Sequence, residues 1–150
     1  MVIAIDFDGT IVTHEYPKIG KEIPFAIDTI KRLQRSGKHQ LILWTVRSGK
    51  LLDEAVEYCA KRGVEFYAAN KNHPEEDPAT ASRKLAVDLF IDDRSLGGIP
   101  DWGIIYNMIE SEDPFNYNAI INYNSNKPQR KKNFFIRLGE ALEGNSGQSY

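Results

Sequence analysis

The 150-residue chain has little of what marks secreted, membrane or strongly charged proteins. Its single cysteine, Cys59, excludes an intrachain disulfide, fits a reducing compartment and is expected to pack in the core. No apolar run approaches the ~18 residues of a membrane span, and Asp6 interrupts the first run before it could form a signal-peptide core. With 19 basic and 21 acidic residues, the formal charge is -2. Because this charge gives no overall attraction to nucleic acid or an anionic membrane, we expect a soluble, cytoplasmic protein with neither partner.

Short apolar runs alternate with amphipathic stretches over residues 1–109. The runs predict strands at Val2–Ile5, Leu41–Trp44, Val64–Ala68, Leu89–Ile91 and Trp102–Met108. Helices are predicted over Pro24–Arg35, through Leu52, Ala55, Val56 and Cys59, and from Asp77 to about Val87. This alternation predicts an α/β fold, a Rossmann-like three-layer sandwich with a mostly parallel sheet.

The length suits one domain covering residues 1–150. Ile11–Glu22 is too short for a domain and predicts a hairpin or flap. Residues 110–142 are expected to be a C-terminal extension ending in an amphipathic helix marked by Phe134, Phe135, Leu138 and Leu142, and residues 143–150 a frayed tail.

The first ten residues carry the strongest chemical signal. Val2–Ile5 predicts a buried strand that delivers Asp6 and Asp8 to its carboxyl end, with both side chains on one side and Phe7 on the other. Gly9 then allows a sharp turn. Two carboxylates in one space need a cation or a shared proton, and Mg2+ prefers such oxygen ligands. The alternative is an ordinary turn rich in Asp and Gly.

Asp6-Phe7-Asp8-Gly9-Thr10 after an N-terminal strand resembles motif I of the haloacid dehalogenase-like (HAD) superfamily. The resemblance implies an aspartyl-phosphate mechanism in which Asp6 is the nucleophile and Asp8 the general acid and base. Gly9 and Thr10 complete the motif and are expected to lie against the substrate. Thr45 matches the motif II residue that hydrogen-bonds the phosphoryl group, with a turn or helix cap as its alternative role.

Asp92 and Asp93 match motif IV, whose acidic residues complete the metal site; the alternative is an acidic turn. The resemblance therefore implies Mg2+ held by the Asp6 carboxylate, the Asp8 carbonyl and Asp92, with Asp93 on a metal-bound water. Lys84 best matches the motif III cation, and Arg83 and Lys71 remain alternatives.

Arg47 follows Thr45 in the same loop and either binds a substrate phosphate or carboxylate or is a solvated arginine. The three histidines, His14, His39 and His73, share no metal-ligand spacing and are expected at the surface. A basic cluster is expected to be the solvated start of the last helix, with binding of an acidic macromolecule as the alternative. It contains Lys127, Arg130, Lys131, Lys132 and Arg137.

The intervals after motifs I and II are short, so the chain resembles a capless HAD phosphatase. The expected function is Mg2+-dependent hydrolysis of a small phosphomonoester. The flap, the Asn70–Pro78 loop or a neighbouring subunit could cover the open site, and a homodimer is favoured. The alternative is a non-catalytic phosphate-binding or interaction module that retains the site. A receiver domain is less favoured, because receivers place their acidic pair on the first strand and the phosphorylated Asp on a later one.

Overall fold

Four parallel strands form the sheet of the computed structural model, which describes residues 1–77, 79 and 82–111. The strands are β1 (Val2–Ile5), β2 (Gln40–Leu43), β3 (Ala68–Ala69) and β4 (Leu89–Ile91), in the order β3-β2-β1-β4. Ile5 at the end of β1 pairs with Leu43 of β2 on one side and Ile91 of β4 on the other. The residues that follow these three strands therefore leave the sheet at one edge. The predicted Rossmann-like α/β fold is confirmed.

In the described part of the chain, three helices accompany the sheet: α1 (Ala26–Arg35), α2 (Lys50–Ala60) and α3 (Trp102–Glu110). Buried residues of all three belong to one core cluster with Ile3 and Ile5 of β1. On the opposite face, Ala4 and Ile42 pack with Leu85, which lies in the segment before β4. The alternation of strand side chains thus separates two apolar clusters, one on each face of the sheet. No helix in the described part of the chain is long and apolar enough to cross a membrane.

The predicted helix spacing is confirmed in α1, where Ala26, Ile27, Ile30 and Leu33 are all buried. In α2 the buried face is narrower than predicted. Ala55 and Cys59 are buried, whereas Val56 is 36% exposed. Burial raises the pKa of the Cys59 thiol to about 12, which suits the predicted packing role because the thiolate is the reactive form.

The predicted fifth strand at Trp102–Met108 is wrong, because these residues form α3. Asp101 caps the helix, its side chain accepting a hydrogen bond from the Ile104 N–H at 3.1 Å. Trp102, Ile105 and Ile109 are buried at helical spacing. Periodicity alone does not separate a strand from a buried helix in so short an apolar run.

The predicted helix after Asp77 is also wrong over residues 82–87, which are irregular. Asp77 does start a turn, its side chain accepting from the Ala79 N–H at 2.9 Å. Further on, the Ala86 N–H donates to the Asn72 side chain at 2.7 Å. In a helix this N–H would instead donate to a backbone carbonyl one turn earlier. The third strand begins later than predicted, at Ala68, because the Val64 N–H still bonds the Cys59 carbonyl at the end of α2.

Residues 11–22 form the predicted flap. Val12 pairs antiparallel with Glu22, and the Thr13 N–H donates to the Lys21 carbonyl at 2.7 Å. Within the described residues, the flap is all that lies between β1 and the approach to α1, and no separate domain is inserted there. The predicted extension begins at residue 110, and Glu110 is the last residue of α3. The extension from residue 112 onward, its terminal helix, the basic cluster and the frayed tail lie outside the described residues, so the single-domain expectation stays a prediction.

Candidate active site

Three carboxylates meet where β1 and β4 end. Asp6 follows β1, and Asp92 and Asp93 follow β4, its parallel neighbour. Each offers a carboxylate oxygen, and these atoms lie within 4.8 Å of one another. The structure therefore brings together three of the residues that the sequence predicted as metal ligands.

Burial and mutual repulsion make this cluster costly without a cation. Burial raises the pKa of Asp6 from its ordinary 3.8 to about 6; the charges of Asp92 and Asp93 add to the rise, while hydrogen bonds from the Phe7 backbone and Thr10 oppose it. Among the described residues, the buried Oδ1 of Asp93 has no hydrogen-bond partner. Hard oxygen donors with uncompensated charge fit a divalent cation such as Mg2+.

Thr10 is fully buried and supports the carboxylate cluster through hydrogen bonds. Its hydroxyl donates to Asp6 Oδ2 at 3.3 Å and accepts from the Asp93 N–H at 3.1 Å, while its carbonyl accepts from the Trp102 indole at 3.0 Å. The Thr10 hydroxyl is therefore bonded to both ends of the cluster, and the expectation that Thr10 lies against the substrate stays a prediction. Trp102 was missed as a supporting residue since it was assigned to a strand.

Gly9 makes room for the same cluster. It has a φ of 95°, and a Cβ at this position would overlap the Asp93 carboxylate. Any side chain would thus push Asp93 away from Asp6. Its predicted turn is confirmed, since the Gly9 N–H bonds the Val12 carbonyl at 2.7 Å.

Thr45 leaves β2 at the same edge, in a loop fixed by Asn70. The Thr45 N–H donates to Asn70 Oδ1 at 2.8 Å, and Asn70 Nδ2 donates to the Arg47 carbonyl at 3.0 Å. The Arg47 N–H donates to Thr45 Oγ1 at 3.2 Å, which leaves the hydroxyl proton of Thr45 to bind another group. Asn70 was missed by sequence reasoning. Its signal is an Asn directly after a strand, a residue type that tolerates the φ of 54° found here.

Arg47 is buried against Asp8 and the flap. The Arg47 side chain is 0% exposed, and its Nε and Nη2 donate to the two Asp8 carboxylate oxygens, each at 2.7 Å. The alternative of a solvated loop arginine is therefore wrong. The prediction that Arg47 binds substrate stays a prediction, with its side-chain donors on Asp8 and the flap carbonyls here. Asp8 shares the cavity with Asp6 as predicted, with both of its oxygens accepting from the guanidinium.

A cavity of about 120 Å³ opens above the carboxylates. This is smaller than the ~300–1,000 Å³ typical of ligand pockets, so it suits the reacting end of a small molecule. Its lining residues are Asp6, Asp8, His14, Trp44, Thr45, Val46, Asp92 and Arg94. The sequence analysis missed three of these residues, Trp44, Val46 and Arg94. They follow the ends of β2 and β4, and only the alignment of these strands shows that they line one cavity. Val46 is 69% exposed.

The histidines divide between surface and interior. His14 is exposed at the cavity, its Nδ1 lying 3.4 Å from the Asp8 carbonyl, and His73 is also exposed. The surface prediction is wrong for His39, whose side chain is 6% exposed and bonds Glu110 at 2.9 Å.

The three candidates for the motif III cation lie away from the lining. Lys84 and Arg83 are exposed in the irregular segment before β4, and Lys71 is half-buried after β3. Arg94 is the basic residue of the described chain that lines the cavity. The assignment of Lys84 stays a prediction.

One solved structure resembles the chain over most of its length. A conserved protein from Bacteroides thetaiotaomicron is 63% identical, with a TM-score of 0.73 over 80% of this chain and 96% of that one. The chain belongs to the same protein family as that Bacteroides protein. No protein-family model matches the chain, and neither does any curated protein. The likeness is one of sequence and fold, so the chemistry is argued from the site.

Proposed function

We propose that the protein is a Mg2+-dependent phosphomonoester hydrolase of the HAD type that works through an aspartyl-phosphate on Asp6. The observation that supports this most is the cluster at the strand ends. The carboxylates of Asp6, Asp92 and Asp93 converge, and the buried Asp93 Oδ1 has no hydrogen-bond partner among the described residues. Thr45 lines the same cavity as Asp6 and Asp92.

The chain's own groups account for the two steps of such a reaction. The Asp6 carboxylate attacks phosphorus, and the bond to the ester oxygen breaks with its electron pair leaving on that oxygen. Water then attacks the aspartyl-phosphate, releasing phosphate and restoring Asp6. Thr45 donates a hydrogen bond to a phosphoryl oxygen, and Asp8 gives a proton to the leaving oxygen and takes one from the water.

The Asp6, Asp92 and Asp93 carboxylates would hold Mg2+, with the Asp8 carbonyl. When bound, the ion neutralises the charge that otherwise opposes the approach of a phosphate dianion. The raised pKa of Asp6 is consistent with this need, because a nucleophilic carboxylate must be ionised at neutral pH.

Phosphate release from a panel of metabolites and nucleotides, with and without Mg2+, tests the function. Asp6→Asn keeps the shape of the side chain and removes the nucleophile, so turnover should vanish. Asp28→Asn is the matched control, because Asp28 is exposed on α1, and it should behave as the parent protein. Turnover that survives Asp6→Asn would contradict the nucleophile assignment.

A second candidate function is favoured by the hydrogen bonds between Asp8 and Arg47. Both Asp8 oxygens are bonded to Arg47, so the carboxylate has a structural role in holding the loop that contains Arg47. A module that binds a phosphorylated molecule without useful turnover would have such a site. Mg2+-dependent binding of orthovanadate or phosphate, together with no turnover of any ester in the panel, would support the binding module over the hydrolase.

The substrate we propose is a small phosphorylated molecule, since the cavity of about 120 Å³ encloses little more than its phosphoryl end. The flap bonds Arg47 through two of its carbonyls and contributes His14 to the cavity lining, so it would supply cover from within the chain. A homodimer would add cover from outside, and sedimentation at micromolar concentration tests it.

A further inference from the structure

Arg47 joins two parts of the molecule that are separate in sequence. At one end, its Nε and Nη2 donate to Oδ2 and Oδ1 of Asp8, each at 2.7 Å. At the other, Nη1 donates to the Pro17 carbonyl at 3.0 Å and Nη2 to the Lys18 carbonyl at 2.9 Å. One guanidinium therefore fixes both the Asp8 carboxylate and the middle of the flap.

The surroundings of this arginine leave it little freedom. Arg47 is 0% exposed and Asp8 3% exposed. The guanidinium carbon lies 5.1 Å from the centre of the Phe7 ring and 5.4 Å from that of Tyr16, a flap residue. A planar fork bonded to both carboxylate oxygens fixes the rotation of the carboxylate, which a lysine ammonium cannot do.

We propose that Arg47 is a positioning residue for Asp8 and makes the orientation of that carboxylate depend on the flap. This rests on the proposed hydrolase function, in which Asp8 exchanges protons with the leaving oxygen and the attacking water. Because the same guanidinium bonds the flap carbonyls, a flap displaced from Pro17 and Lys18 removes two of the four hydrogen bonds that fix the guanidinium, and the two bonds to Asp8 remain. A change in the position of the flap would thus also change the alignment of the Asp8 carboxylate.

A kinetic comparison separates positioning from simple flap anchoring. Arg62 is the matched control, because its Nε bonds Glu22 at the far end of the flap at 3.2 Å and does not reach the cavity lining. Arg47→Met should lower kcat by roughly 10-fold to 100-fold, the effect of misaligning a reacting group, whereas Arg62→Met should change kcat less than about 3-fold. In an Asp8→Asn background, Arg47→Met should cost less than about 3-fold further, because residues acting as a unit are non-additive.

Arg47→Lys keeps the positive charge but loses the planar guanidinium that bonds both Asp8 oxygens, so it should also lower kcat. This variant replaces Arg47→Met in the test if Arg47→Met does not fold. An equal loss from Arg47→Met with and without Asp8, or a kcat unchanged by both Arg47 variants, overturns the proposal. Such results would leave the hydrolase function standing as long as Asp6→Asn abolishes turnover.

Hydrogen exchange tests the coupling without any turnover. Asp8→Asn removes the charge that Arg47 binds, so the flap amides of Thr13 and Lys21 should exchange at least ~10-fold faster, since local opening becomes easier. Asp6→Asn is the control and should leave them unchanged. Unchanged exchange in Asp8→Asn overturns the coupling. A parent protein with no turnover would instead overturn the hydrolase function, while the exchange result still decides whether Arg47 links Asp8 to the flap.

Discussion

The charge of Asp6 should destabilise the metal-free protein, and Asp6→Asn should relieve this. The pKa of Asp6 is about 6 in the fold against an ordinary 3.8. The folded state therefore binds a proton more tightly than the unfolded state, and stability falls as pH rises from about 4 to 6. Above pH 6 the loss is complete and constant. Below pH 4 the carboxyl is protonated in both states and contributes nothing.

The size of this effect follows from the pKa. The rise from 3.8 to about 6 corresponds to roughly 3 kcal/mol, because each pKa unit is ~1.4 kcal/mol. Asp6 is only partly buried, so solvent screening reduces this to about 1–2 kcal/mol. For a domain of this size, ~1 kcal/mol shifts Tm by about 2–4 °C. At pH 8 without metal, Asp6→Asn should thus melt several degrees above the parent protein.

Thermal unfolding in EDTA at pH 4, 6 and 8 measures the prediction, with Asp28→Asn as the control. The difference between Asp6→Asn and the parent should be near zero at pH 4 and reach its full size at pH 8. Mg2+ at pH 8 should raise the Tm of the parent more than that of the variant, because ligand binding stabilises the state that binds it. A variant that melts no higher than the parent at pH 8, or a difference independent of pH, would refute the electrostatic argument.

Three other substitutions probe the supports of the site. Asp8→Asn should slow turnover by roughly 10²–10⁴, with a smaller loss for esters with good leaving groups; steady-state rates across a leaving-group series check this. Gly9→Ala should cost about 1–3 kcal/mol from strain at positive φ and weaken Mg2+ binding, because its Cβ meets Asp93; calorimetric titration with Mg2+ measures the second effect. Asn70→Ala should cost about 1–3 kcal/mol, because it leaves two loop backbone groups unbonded, and should lower Tm in thermal unfolding.

The parts of the fold that the sequence predicts well depend on local signals. Val2–Ile5 is an uninterrupted apolar run that ends at a charged residue, and the structure has the same bounds. The meeting of Asp6 with Asp92 and Asp93 follows from the same signal. Once two runs are parallel strands, the residues after them lie at one edge.

The parts that were wrong depend on contacts remote in sequence or on short, ambiguous runs. Arg47 reads as an exposed loop residue, since its partner Asp8 is 39 positions away and only the fold brings the two together. Trp102 belongs to an apolar run that fits a strand or a helix, and the cap at Asp101 decides between them. Neither result can be derived from the local pattern alone.

The cations near the site bind different groups. Arg47 is bonded to Asp8, so its charge does not neutralise the cluster formed by Asp6, Asp92 and Asp93. In the proposed hydrolase, a divalent ion would offset two of those three charges, and an incoming phosphate dianion would restore the excess. That reaction would therefore need a further cation at the phosphoryl group. Arg94, in the turn after β4, lines the cavity in the described part of the chain, whereas Lys84 is exposed outside the lining. Arg94 is therefore a further candidate for that cation beside the predicted Lys84.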